Sequence, residues 1–170
     1  MDRIVSNATP LMYLAKVSKL ILLKTLLNQV LIPEAVFQEV VIEGKRLAES
    51  DAYRVEKGIN QGWLKVKDVK NLLSFDFSLH PGELEVISLA REEGIKTVLI
   101  DDAKARSVAE LANLRPVGTV GIILQAVKNR MIDFDEFLST LEDIIHCGFY
   151  LRDEVYIRVI RTARKLSENH

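Results

Sequence analysis

Apolar residues recur along this chain in two rhythms. Short runs rich in Val and Ile, RIVS (3–6), QVLI (29–32), WLKVKDV (63–69), KTVLI (96–100) and RPVG (115–118), read as buried strands. Between them lie longer stretches with helical spacing: TPLMYLAKV (9–17), SKLILLKTLL (18–27), PEAVFQEVVIE (33–43), LAESDAYRVEKGI (47–59), GELEVISLAREEG (82–94) and DAKARSVAELANL (102–114). Helix starts are expected at Thr9-Pro10, Ser18, Pro33 and Asp102, and stops at Gly58 and Gly94. GTVGIILQAVKNR (118–130), DFDEFLSTLEDIIHC (133–147) and RDEVYIRVIRTARKL (152–166) add a helical tail, and NLLSFDFSLHPG (71–82) reads as a loop. Such alternation predicts an α/β fold, a mostly parallel central sheet flanked by helices on both faces. The expected organisation is one domain over 1–150, with a C-terminal helix over 151–170 packed on the domain or on a dimer partner.

Composition narrows the class. The chain has 170 residues, 48% hydrophobic and 28% charged, as in ordinary globular domains. No apolar run approaches the ~20 residues of a membrane span, and a secretory signal pattern is missing, so no membrane role is expected. The single Cys147 cannot form an internal disulfide and is expected to be buried and inert; a cytoplasmic location follows as the default. A net charge of −1 argues against coating nucleic acid by bulk electrostatics, though not against a local basic patch. YIRVIRTARK places Arg158, Arg161 and Lys165 on one helical face, which is either solvated or a phosphate-contacting stripe.

The acids carry the chemistry. In a parallel sheet, sites lie beyond the carboxyl ends of the strands. Asn7 follows the first strand there, and TVLI runs straight into Asp101-Asp102. One aspartate suffices as a helix cap, so the pair exceeds what capping requires. On a helix starting at Gly82, Glu83 falls within roughly 40° of Ile87 and 20° of Ala90, facing inward, whereas Glu85 falls on the opposite face and should be solvated. Glu39 borders the Val36, Phe37, Val40, Val41 stripe, about 60° from Val36. Glu34 is a dipole-compatible first-turn residue. His80 reads as a plain loop histidine and Thr119 as a helix cap, and a phosphate-cradling Gly-rich loop is absent. Converging carboxylates from Glu39, Glu83 and Asp102 would suit Mg²⁺ or Mn²⁺.

Taken together, IVSNATPLMYLAKV, IPEAVFQEV, HPGELEVISLA, VLIDDAKAR and PVGTVGIIL resemble the PIN domain, the nuclease fold of VapC-type toxins, and in particular a poorly characterised prokaryotic PIN-like group. The resemblance spans residues 3 to 150 and implies a three-layer α/β fold and a Mg²⁺- or Mn²⁺-dependent ribonuclease. Glu39, Glu83 and Asp102 fall on family acids, with Asp101 beside them as a further ligand. Thr9 and Thr119 fall where substrate is positioned. It also implies an RNA substrate, a homodimer and a small antitoxin protein as partner. Asn7 stands where the family normally has its first aspartate. An amide oxygen still coordinates a hard cation but brings no charge. That leaves a weakened or inactive nuclease, a chain altered so that its host tolerates it, or compensation by Asp101 or Asp2. The alternative function is a catalytically silent PIN module that binds RNA or a protein partner. A nucleotide-binding α/β domain is a third reading, weakened by the missing Gly-rich turn.

Overall fold

All five expected strands form in the computed structural model, which describes residues 3–76 and 78–168. They are β1 (Arg3–Ser6), β2 (Gln29–Pro33), β3 (Leu64–Lys67), β4 (Thr97–Leu99) and β5 (Arg115–Val117). Their order in the sheet is β3-β2-β1-β4-β5, and every pairing is parallel. Parallel neighbours require crossovers, and helices supply them. α1 (Ala8–Lys16) and α2 (Ile21–Leu26) join β1 to β2. α3 (Glu34–Phe37), a π-helical segment (Gln38–Glu43), α4 (Gly44–Arg46) and α5 (Ser50–Asn60) join β2 to β3. α6 (Pro81–Glu92) leads to β4, and α7 (Ala103–Leu111) leads to β5.

Helices cover both sides of the sheet, so the central strands are buried on both faces, giving the expected three-layer α/β fold. Ile4, Val5, Val30, Leu31, Ile32, Val98 and Leu99 have no solvent exposure, which is why these strands read as continuous apolar runs rather than alternating ones. The edge strands β3 and β5 are partly exposed. α8 (Thr119–Lys128), α9 (Phe134–His146) and α10 (Asp153–Glu168) complete the chain. α10 lies against α8 and α9 and contributes Val159 and Ala163 to the common core. No helix among the described residues is long and apolar enough to cross a membrane.

Three element ends differ from expectation. The first helix begins at Ala8 with Asn7 at its N-cap, not at Thr9-Pro10, and Pro10 falls in the first turn, where its missing N–H costs nothing. Ser18 does not start α2. It closes α1 in a left-handed conformation (φ 59°), with the Lys19 N–H reaching back to the Leu14 carbonyl at 2.7 Å. Gly58 does not stop α5. It lies inside the helix because a methyl there would sit 2.7 Å from the Trp63 ring, and the chain turns instead at Gly62 (φ 82°). Cys147, expected to be buried, is exposed after α9.

Gly44 shows how closely the π-containing helix packs on α5: a Cβ added there would lie 2.8 Å from the Cβ of the fully buried Ala52. Alanine favours a helix over glycine by about 1 kcal/mol. Overpacking a rigid contact typically costs about 1–3 kcal/mol. Gly44→Ala is therefore expected to lower the urea midpoint despite the better helix former. An unchanged or raised midpoint would show that α4 and α5 separate freely.

Candidate active site

The direction of the crossovers reverses between β1 and β4, and the crevice beyond such a switch is where α/β sheets bind ligands. Ser6 pairs with Leu99, and the Asn7 N–H donates to the Leu99 carbonyl at 2.9 Å, so both strands end level. Asn7 projects there, and Asp101-Asp102 follow β4. Asn7 is buried, and although it holds the N-cap position its side chain makes no capping bond. Its Oδ1 instead turns toward Gly82. A Cβ on Gly82 would lie 3.4 Å from Asn7 Oδ1 and 3.7 Å from Glu39 Oε2, so the missing side chain leaves room between amide and carboxylate.

A cavity of about 430 Å³ opens at this point, lined by Asn7, Thr9, Glu39, His80 and Glu83 among others. A second, of about 320 Å³, is lined by Ser78, Leu79, His80, Glu83, Asp102 and Lys104. His80 and Glu83 belong to both. Glu83 is buried, as the helix geometry required, and its Oε2 accepts the His80 N–H at 3.1 Å in a capping box. Asp102 caps α7 through Oδ1, accepting the Ala105 N–H at 2.8 Å. Glu39 lies in the first turn of the π-helical segment, whose wider turn a helical wheel does not represent. Partial burial raises the Glu39 carboxyl above its ordinary 4.5; His80 opposes this and the Glu83 charge adds to it.

Two predicted site residues face elsewhere. Asp101 accepts the Thr119 N–H at 2.8 Å and its hydroxyl at 2.5 Å, and burial raises its carboxyl against those bonds and the nearby Arg106. Thr119 is buried on that contact, one residue beyond the Gly118 cap, and neither residue lines the two acidic cavities. Asp2 lies outside the described residues. Glu85, expected to be solvated, is half-buried: its Oε2 accepts the Ala35 N–H at 3.0 Å and so caps α3 from a neighbouring helix. Arg158 lines a separate groove, while Arg161 and Lys165 are exposed on α10 outside it. Sequence reasoning passed over Lys104, whose Nζ donates to the Ser78 carbonyl at 2.6 Å beside Asp102. Its place in the first turn after a capping aspartate was the available signal.

A family model described as a PIN domain matches residues 3–165. The chain belongs to the PIN-domain family. No curated protein and no solved structure matches it. PIN domains are nuclease-type modules that generally act on RNA and generally use divalent metal ions. The donor chemistry here fits such an ion: the Asn7 amide oxygen and one Glu39 carboxylate oxygen, both hard, lie beside the gap at Gly82, and Glu83 lines the same cavity. They are not gathered in advance. Among the described residues no three His, Cys, Asp or Glu side chains stand close enough together to hold an ion. In this PIN domain Glu83 and Asp102 are engaged with helix N-termini, and Glu39 is the acid left under strain.

The raised Glu39 carboxyl makes a pH prediction with a definite sign. Its folded pKa lies above the unfolded one, so its contribution to stability is complete below the unfolded value and is lost as pH rises through 4.5 toward the raised value. Glu39→Gln keeps the neutral shape and escapes that loss. In urea titrations of metal-free protein, the variant should gain on the parent between pH 4 and pH 7. A difference independent of pH would show that Glu39 is not destabilised by ionising.

Proposed function

We propose that this PIN domain is a Mg²⁺- or Mn²⁺-dependent ribonuclease of the VapC toxin type, weakened because Asn7 supplies an uncharged oxygen where a fourth carboxylate would stand. The observation that carries the reading is the meeting of Asn7, Glu39 and Glu83 in one cavity that shares Glu83 with Asp102. These four residues would hold the ion. When bound, it supplies positive charge that activates a water and stabilises the oxygen leaving a phosphodiester.

The chain's own residues account for the rest. Thr9 and Lys104 each line one of the two cavities and would hold phosphate oxygens of the substrate on either side of Glu83. Lys104 would exchange its bond to the Ser78 carbonyl for a phosphate. Asp101 is a positioning residue in this reading. Through Thr119 it ties the turn after β4 to the start of α8, and so fixes the backbone from which Asp102 projects. The proposal extends to a homodimer, a small antitoxin protein that covers the site, and a cytoplasmic setting.

A second reading, a catalytically silent module that binds RNA or a protein, is favoured by the same amide at position 7 and by the helix-capping bonds that engage Glu83 and Asp102. Asn7→Asp separates the two. The substitution changes almost no volume and adds one negative charge beside Glu39 and Glu83. Without metal it should lower the thermal midpoint, because like charges held together disfavour ionisation. With Mn²⁺ it should bind the ion more tightly than the parent, raise the midpoint and cleave RNA faster. Tighter binding without cleavage of any RNA would establish the silent module. No gain in Mn²⁺ affinity would show that position 7 does not serve the acids.

A further inference from the structure

Asp101 and Asp102 are consecutive, yet they open onto different spaces. Asp102 lines an acidic cavity, whereas Asp101 lines a groove of about 930 Å³ between α7, the start of α8 and α10. Arg106, Arg152 and Arg158 line this groove, and of its two acids Asp101 is already bonded to Thr119, leaving Glu110. Arg106 is tied to the Ile100 carbonyl at 3.0 Å. Among the described residues the guanidinium groups of Arg152 and Arg158 have no hydrogen-bond or ion-pair partner. Tyr150 also lines the groove, with 81% of its surface exposed.

The edge of the sheet limits what could enter. The Arg115 N–H and the Val117 carbonyl both face β4, bonding Lys96 and Ile100, so Pro116 between them presents its backbone outward. Proline has no N–H, and the edge cannot accept an added peptide strand. Free guanidinium groups beside an exposed aromatic ring, close to a nuclease site, match a flexible polyanion with flat bases. We propose that the groove is a single-stranded RNA track that leads to the acidic site past Asp101, with Arg152 and Arg158 on phosphates and Tyr150 stacked on a base. The inference rests on the ribonuclease reading and names the form of its substrate and the side from which it arrives.

The test is binding without cleavage. Fluorescence anisotropy of a labelled oligouridylate is followed in EDTA over a salt series for the parent, Tyr150→Ala, Tyr150→Trp, Arg152→Ala, Arg158→Ala and, as a distant exposed cation, Lys128→Ala. The parent should bind the single strand more tightly than an RNA duplex or polyglutamate. Each arginine variant should lose several-fold in affinity and flatten the dependence of log K on log salt by about 0.7. Tyr150→Ala should lose about tenfold with the salt slope unchanged, and Tyr150→Trp should restore it. Lys128→Ala should match the parent. RNA binding that ignores all the groove variants would overturn the track and leave the ribonuclease reading intact. Failure of the parent to bind RNA would overturn both. Polyglutamate bound as tightly as RNA, through the same residues, would overturn the track by making the groove a surface for acidic protein.

Discussion

The Asn7 N–H donates to the Leu99 carbonyl at 2.9 Å, and that bond sets β1 and β4 level at the point where the crossovers reverse. Everything chemical in the molecule follows from where those two strands end. The helices after β1, β2, β3 and β4 all begin at the same edge of the sheet, because parallel strands must all deliver their chain there. A crowd of helix N-termini is thus gathered at one end, with unbonded N–H groups and a positive dipole charge.

Those N-termini explain how the fold tolerates so many acids. Glu83 accepts the His80 N–H at α6, Asp102 accepts the Ala105 N–H at α7, Asp101 accepts the Thr119 N–H at α8, and Glu85 reaches across to the Ala35 N–H at α3. Each of these four carboxylates accepts a backbone N–H, and Asp101 takes the Thr119 hydroxyl as well. Glu39 accepts no such bond among the described residues, and burial and the Glu83 charge push its carboxyl up, as burial also does that of Asp101. Asn7, uncharged, spares the cluster one more repulsion. In the proposed centre that same amide would remove charge from the set that holds the ion.

Most of this architecture was legible in the sequence, and the reasons for the failures are physical. The strands were readable because full burial on both faces demands unbroken apolar runs such as QVLI. The inward direction of Glu83 was readable from its own helix. The role of Glu85 was not, because the group that it satisfies belongs to α3, whose N-cap is Pro33 and which has no capping side chain of its own. A wheel drawn on one helix cannot see a neighbour's orphan N–H. For the same reason Asp101 read as one of a pair with Asp102, although the Thr119 contact turns it to the other side. Gly58 read as a stop because its packing against Trp63 depends on a residue beyond the helix end. Nothing in the spacing marked the π-helical turn that carries Glu39.

Glu39, Glu83 and Asp102, with Asn7, would form one metal centre, in which Glu83 and Asp102 rest on helix N-termini until the ion arrives. Crystals of the protein soaked in Mn²⁺ and measured at the manganese absorption edge test it most directly. An anomalous peak is expected within coordination distance of Glu83 and of Glu39 or Asp102, with Glu83 drawn away from the His80 N–H. Crystals that take up Mn²⁺ only at Asp101 or elsewhere, with the Glu83–His80 bond intact, would contradict it.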